Sequence, residues 1–331
     1  MANLNLNGKK VLVTGSEGFI GSHLTEQLLE SKAQVRAFVM YNFKGDLGWI
    51  SGIRNKVEVY QGDIKDYNAV NDAMKGIDVV LHLAASISVP YSVIHPREVV
   101  ETNVIGGLNV LLASKEQGVK RIVQMSSSEV FGNPKYVPID EDHPKNPQSP
   151  YAASKVGMDG LCKAFYRSYN LPVVIVRPFN TFGPRQSPRA VIPSIILQLL
   201  DGNVVKAGNV FTTRDLTYVE DTARGVIQAG FVKGIEGQEI NLGTGRETRI
   251  KDLIETIARL MGKPDVEIVT SSDRKRTGKL ELVRLLSNNS LARRQLKWKP
   301  SYTLEAGLKK TIAWFEKHRD DYGKPYYGEY K

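Results

Sequence analysis

Gly15, Gly18 and Gly21 fall between a short apolar run at residues 11–14 and a stretch of helical periodicity that continues to residue 30. A strand that enters a helix through so tight a turn needs residues without side chains, because the backbone folds back on itself and the first helical turn stays open. The Gly-x-x-Gly-x-x-Gly spacing, with Phe19 and Ile20 set to pack inward, leaves helix N–H groups free to approach a pyrophosphate. A chain that begins this way is committed to a parallel α/β sheet.

The rest of the first half keeps that alternation. Strands are expected at 34–39, 57–61, 79–83, 121–126 and 173–177, with helices over 15–30, 99–117 and 150–169. This is a doubly wound parallel sheet of the Rossmann kind, spanning residues 1–178. Pro178, Gly183, Pro184, Pro188 and Pro193 then interrupt regular structure. Residues 179–331 are expected to form a smaller mixed α/β region that binds substrate, with part of 210–245 returning to the first domain. Its helices are placed near 195–201, 220–232, 250–261 and 304–317. The tail over 318–331, rich in Tyr and charge, receives no function.

Bulk properties narrow the classes. The chain has 331 residues, 41% of them hydrophobic, enough for a sizeable core. No run approaches the roughly 18 apolar residues of a membrane span, and the first ten residues lack a secretory core, so a cytoplasmic protein with no membrane partner is expected. The single Cys162 excludes an intramolecular disulfide and a cysteine metal cluster and reads as a small buried apolar residue; no metal is expected. A net charge of +10 and a pI near 9.4 raise the question of nucleic acid. The basic residues are dispersed, however, and only Arg274, Lys275, Arg276 and Lys279 cluster, without interleaved aromatics. That pattern fits a solvated surface and a few arginines closing on a diphosphate, with no nucleic acid.

Tyr151 and Lys155 stand at i and i+4 near the start of a helix, on one face and within reach of one ligand. An ammonium beside a phenol, with an oxidised nicotinamide nearby, lowers the phenol pKa so that Tyr151 can take a hydroxyl proton while hydride leaves. At the carboxyl edge of the sheet, Ser126-Ser127-Ser128-Glu129 offers hydroxyls and a carboxylate: Ser127 to hold the reacting oxygen, and Glu129 to abstract a proton beside a newly formed ketone. At the cofactor's other end, Asp63 and Ile64 follow the third strand, placed to flank the adenine. The acidic residue that ends the second strand in NAD sites is missing, and Val39-Met40-Tyr41-Asn42 stands there. Its absence weakens the usual argument for NAD over NADP, and Asn42, Tyr41 or Lys44 is left to meet the ribose or a 2′-phosphate; NAD is the cofactor expected, with NADP open.

Together these residues resemble the extended short-chain dehydrogenase/reductase family, in its nucleotide-sugar epimerase and dehydratase branch, almost end to end. The resemblance rests on the glycine loop, His82-Leu83-Ala84-Ala85, Asn103 in Thr-Asn-Val, the serine loop, Tyr151 with Lys155, Arg177-Pro178-Phe-Asn180 through Arg185, Arg214-Asp215, Tyr218-Val-Glu-Asp221 and Trp298-Lys-Pro300. It implies cofactor contacts from Leu83, Ala84, Ala85, Asn103 and Pro178, and diphosphate contacts from Asn180, Arg214 and Arg284. It also implies a homodimer through a four-helix interface built from 99–117 and 150–169. Family dehydratases usually carry Thr-Asp-Glu where this chain has Ser127-Ser128-Glu129. The Glu favours dehydration, while Ser128 leaves the acid at C6 open between Glu129 itself and a water held by Ser128.

The segment from Gln186 to Pro193, which contributes Arg189 and Val191 to the substrate side, together with Met40-Tyr-Asn-Phe43 and Asn146-Pro-Gln-Ser-Pro150, looks most like bacterial UDP-N-acetylglucosamine 4,6-dehydratases that retain the C5 configuration. The resemblance therefore implies an NAD(P)-dependent hydro-lyase on a UDP-linked sugar, serving amino-deoxy sugars of surface glycans; a GDP-linked substrate stays open. The rivals are a 4-epimerase, a UDP-glucuronate decarboxylase and, from another class, a non-catalytic dinucleotide-binding regulator.

Overall fold

A computed structural model of the chain describes residues 6–270 and 281–322. The basic cluster at Arg274, Lys275, Arg276 and Lys279 and the tail beyond residue 322 lie outside the described residues. In chain order the first half contains β1 (Lys10–Thr14), α1 (Phe19–Glu30), β2 (Gln34–Met40), β3 (Glu58–Gly62), α2 (Tyr67–Met74), β4 (Val79–His82), α3 (Val89–Ile94), α4 (Pro96–Val100), α5 (Gly106–Glu116), β5 (Arg121–Met125), α6 (Pro150–Tyr169) and β6 (Val173–Pro178). There follow β7 (Asn180–Phe182), α7 (Val191–Asp201), β8 (Val204–Ala207), β9 (Thr213–Arg214), β10 (Leu216–Tyr218), α8 (Val219–Phe231) and β11 (Glu239–Leu242). The last elements are β12 (Thr248–Arg249), α9 (Ile250–Leu260), β13 (Glu267–Thr270), β14 (Arg284–Leu285) and α10 (Leu304–Lys317).

The main sheet has seven strands in the order β11-β6-β5-β4-β1-β2-β3, all parallel. Alternate residues of each strand serve opposite faces, as the two-residue strand period requires. Val11, Val13, Val79, Leu81, Val123, Val174 and Val176 join a core with Leu24 and Leu28 of α1 and Val226 of α8. Leu12, Val80, Ile122, Val173 and Ile175 point the other way, onto Val70 of α2, Val110 of α5, and Met158 and Cys162 of α6. Cys162 is one of these packed apolar side chains. A further core gathers α7, α9 and α10 around Ile196, Leu253, Ile257 and Phe315.

Three local expectations are corrected. The helix after β1 begins at Phe19, not Gly15, because the glycine loop is spent on the turn. The helix over 99–117 is continuous but starts earlier, at Pro96, and is irregular: α4 runs through a π-helical turn over Glu101–Ile105 into α5. The proline-rich stretch is more regular than its composition suggests, since β7 pairs with β10 and α7 begins four residues before the expected 195. Pro193 fits in α7 because first-turn N–H groups have no intrahelical acceptor to lose. Among the described residues, no helix is long and apolar enough to cross a membrane, and no group of three or more His, Cys, Asp or Glu is placed to hold a metal ion.

A buried ion network ties α6 to the sheet. Arg177 on β6 and Asp159 on α6, both fully buried, pair through Nη2 at 2.8 Å and Nε at 3.2 Å. Glu239 of the edge strand closes on Arg177, and Lys145 (2.7 Å) and Lys163 (2.9 Å) complete its shell. Burial works against the Glu239 charge, yet Arg177 and the two lysines hold its carboxyl down to about 2. Removing one member strands its partners in low dielectric. Arg177→Met is expected to destabilise the fold by about 3–5 kcal/mol, read as a lower urea midpoint; a loss below about 1 kcal/mol would show that the network is not a structural tie.

Candidate active site

Because all seven strands are parallel, their carboxyl ends share one edge. Strand order reverses between β1 and β4, which flank each other in register from Val11 beside Val79 to Thr14 beside His82. The crevice of such a sheet opens at this point. The Thr14 hydroxyl accepts from the Leu83 and Ala84 amides, both at 3.1 Å, and lies 2.7 Å from His82 Nδ1. With both lone pairs engaged, the hydroxyl donates its proton to Nδ1. Burial first, then the Lys155 charge, push the His82 pKa down to about 3, so His82 is a neutral structural residue.

The glycine loop closes against the same point. Gly15 has φ +70°, and a Cβ there would come 2.9 Å from the Ala84 amide nitrogen. A Cβ on Gly21 would collide with the Gly15 carbonyl. Gly18 caps α1 without any side-chain hydrogen bond, and no acid occupies the first turn, where Phe19 and Ile20 stand. The N–H groups of that turn and the positive end of the helix dipole are thus available to an anion. Around them lie Leu83, Ala84 and Ala85 after β4. Asn103 accepts from Ser86 N at 2.7 Å and donates to Ser154 Oγ at 2.9 Å, tying that loop to α6. Asp63 caps the turn after β3 through Lys65 N at 2.8 Å, beside the buried Ile64. Asn42 spends both ends of its amide on Asp46 backbone groups, at 2.8 and 2.9 Å.

Ser149 and Pro150 set the start of α6: the serine hydroxyl accepts from Ala152 N at 3.1 Å, and Pro150 fills a position whose N–H has no partner. This puts Tyr151 in the first turn and Lys155 one turn later, both buried. The Lys155 ammonium donates to the Met125 carbonyl at 3.0 Å and lies 6.0 Å from the Tyr151 ring centre. Tyr151 shares a hydrogen bond with Ser127, whose Oγ also accepts from Glu129 N at 3.2 Å. Ser128 is buried and Glu129 half-buried beside them. Burial pushes Tyr151 up to about 12; the Ser127 hydrogen bond eases this and the Glu129 charge adds to it. Burial draws Lys155 down to about 8 against the pull of Asp159. The phenol is therefore neutral until further positive charge enters the crevice.

The second half supplies polar groups on the facing side. Pro178 ends β6, and two residues on, Asn180 opens β7, paired with Leu216, with its Oδ1 buried and without a hydrogen-bond partner. The small β12-β9-β14 sheet brings Arg214 and Arg284 onto adjacent strands, Arg284 paired with Thr213 and Leu285 with Arg214. Arg284 makes a two-pronged pair with Glu247 at 2.7 and 2.8 Å. Arg189 and Val191 are exposed at the entry to α7. Sequence reasoning missed the supporting residues. Asp215 is buried and accepts from Thr244 N (2.7 Å), Gly245 N (2.9 Å) and Ser287 N (3.2 Å), which holds the Arg214 strand. Its only sequence signal was its place beside Arg214. Thr14, Glu17 and Glu247 had none beyond proximity to named motifs.

Residues 12–311 match the family model described as GDP-mannose 4,6 dehydratase. A dTDP-glucose 4,6-dehydratase of Streptomyces griseus is 34% identical over 316 residues, covering 93% of this chain and 94% of its own. The solved dTDP-glucose 4,6-dehydratase of Streptomyces venezuelae, with NAD bound, superposes with a TM-score of 0.86 at 29% identity, over 95% of this chain and 99% of its own. A UDP-N-acetylglucosamine 4-epimerase of Methanobrevibacter ruminantium, in complex with UDP-N-acetylmuramic acid, gives 0.84 at 30% identity over 94% and 99%. Glycine loop, Tyr151–Lys155 pair and fold agree with these likenesses: the chain belongs to the NAD-dependent epimerase/dehydratase family of short-chain dehydrogenases/reductases, enzymes of nucleotide sugars.

Proposed function

We propose that the protein is a UDP-N-acetylglucosamine 4,6-dehydratase working with NAD, whose 4-keto-6-deoxy product feeds amino-deoxy sugars of surface glycans. One observation carries the choice of reaction. The Glu129 carboxylate lies close enough to Tyr151 for its charge to oppose phenol ionisation, and Ser127 is bonded to the Tyr151 hydroxyl and to the Glu129 backbone amide. A base for C5 therefore stands beside the base for the 4-hydroxyl, and a 4-epimerase needs only the second. The open N-terminus of α1 and the contacts of Gly15, Gly18 and Gly21 fit a dinucleotide pyrophosphate.

Held at the glycine loop and the first turn of α1, NAD would supply a hydride acceptor for C4 and the same hydride for C6, a redox cycle that closes within each turnover. The chain's residues manage the protons. Tyr151, ionised with help from Lys155 and the α6 N-terminus, takes the 4-hydroxyl proton. The resulting ketone acidifies C5; Glu129 takes that proton and delivers it to the departing C6 hydroxyl, which leaves as water. As C6 regains hydride, C5 regains a proton, the equivalent of the one Tyr151 took from the 4-hydroxyl, so that both residues return to their starting forms. Ser127 holds the 4-oxygen, and buried Ser128 leaves no carboxylic acid to compete with Glu129. Asn180, through its Nδ2 amide, together with Arg214 and Arg284 holds the diphosphate, with Arg189 and Val191 against the uridine side.

Exposed apolar side chains support a homodimer. Val100, Ile105 and Leu112 on the α4–α5 segment, and Tyr166 and Tyr169 on α6, are 37–51% exposed. Pairing those helices across a two-fold would cover them. Ile105→Glu is expected to yield a monomer by light scattering with the secondary structure kept; a wild-type monomer overturns the interface.

Incubation with UDP-N-acetylglucosamine should give a product lighter by one water. Unchanged mass with a new epimer would make the protein a 4-epimerase, and carbon dioxide release from UDP-glucuronate would make it a decarboxylase. Glu129→Gln should lower dehydration by about 10²–10⁴-fold while hydride exchange at C4 survives; full dehydration by that variant removes Glu129 from the mechanism.

The Lys155 pKa generates a stability test. Between about 8 and its ordinary value of 10.5, the unfolded chain holds a proton that the folded chain has released. Stability thus rises with pH across this window, and below it the buried ammonium is a burden. In cofactor-free protein at pH 7, Lys155→Met should stabilise the fold by about 1–2 kcal/mol in urea titration and flatten the rise above pH 8. It should also abolish turnover. A lower midpoint in the variant would contradict this account.

A further inference from the structure

We propose that Glu17, within the glycine loop, replaces the acid missing from the end of β2: its carboxylate accepts hydrogen bonds from the adenosine ribose hydroxyls of NAD and repels the 2′-phosphate of NADP. The inference rests on the NAD site proposed above and names the residue that selects between the two cofactors. Parallel dinucleotide folds place an acid where β2 ends, since vicinal hydroxyls are good donors to a carboxylate. Here that strand ends in Val39 and Met40, and neither can do this.

Glu17 reaches the same place from the neighbouring loop. Its Oε1 accepts from the amide of Met40, the last residue of β2, at 2.9 Å. Its Oε2 is buried and has no hydrogen-bond partner in the protein. A carboxylate has about four lone-pair sites, and shielding one oxygen from water without a donor is unfavourable. The rest of the loop fixes the residue: the Glu17 carbonyl accepts from Trp49 N at 3.1 Å, and Gly48, with φ +52°, comes so close that a Cβ would lie 2.8 Å from that carbonyl. The other nearby polar groups are less suited. Asn42 closes its own loop onto Asp46 at both ends, while Tyr41 and Lys44 are exposed.

A residue that only braces Met40 needs an acceptor and no charge, whereas selection against a phosphate needs the charge. Glu17→Gln separates the two, because its amide oxygen can still accept from Met40 N. Protein stripped of nucleotide is titrated with NAD and with NADP, following tryptophan fluorescence, for wild type, Glu17→Gln and Glu17→Ala, with thermal melts alongside. Wild type is expected to favour NAD strongly. In Glu17→Gln the melt should hold, NAD affinity should fall several-fold, and the preference for NAD over NADP should drop by about tenfold or more. Glu17→Ala should show the same loss of preference with a lower melting point. A preference unchanged within about twofold in both variants, or a wild type that favours NADP, overturns the role of Glu17. Wild type that binds neither dinucleotide overturns the site reading as well.

Discussion

The hydrogen bonds of the Thr14 hydroxyl hold together the point on which the site depends. Two parallel strands, β1 and β4, meet where the chain order reverses, and their exit loops must diverge without leaving amides unpaired. Thr14 takes the amides of Leu83 and Ala84 and gives its own proton to His82. The β4 loop is thereby pinned against Gly15, at a distance only a missing Cβ allows. The glycine loop, the uncapped end of α1 and the α6 residues facing them all take their places from this junction. The proposed catalytic groups sit on the next strands outward: Ser127 and Glu129 after β5, Tyr151 and Lys155 on the helix that leads into β6.

That arrangement places stability and chemistry in opposition. Lys155 and Tyr151 are both shifted by burial towards their neutral forms, although the proposed reaction needs the ammonium and the phenolate. The site resists ionisation while empty, and a cationic ring entering the crevice supplies the missing field. The phenol is thus kept from acting as a base until the oxidant is in place.

The fold was legible because its signals are local. Strand runs such as 121–126, the Ser149-Pro150 start of α6 and the glycine spacing each state their conformation within a few residues. Irregular segments were not. The π-turn at Glu101–Ile105 leaves no trace in the apolar period, and β7 hides among prolines because its partner β10 lies more than thirty residues on. The same division holds in the site. Tyr151, Lys155 and Ser127 could be paired from spacing and order, and they do meet. Glu17, Asp215 and Glu247 act through contacts between segments far apart in sequence, which no periodicity encodes.

The buried pair of Arg177 and Asp159 has a consequence for the solution conditions the enzyme can meet. Salt weakens exposed ion pairs because mobile ions gather around each charge, and at physiological strength this screening acts over about 8 Å of water. No water reaches these two side chains, and Asp159 stands on α6 two turns beyond Tyr151. The alignment of the phenol against the sheet is therefore insulated from ionic strength. Arg284 and Glu247, paired in the open, feel it fully. A rise in ionic strength would loosen the proposed grip on a diphosphate before it disturbed the geometry of proton transfer.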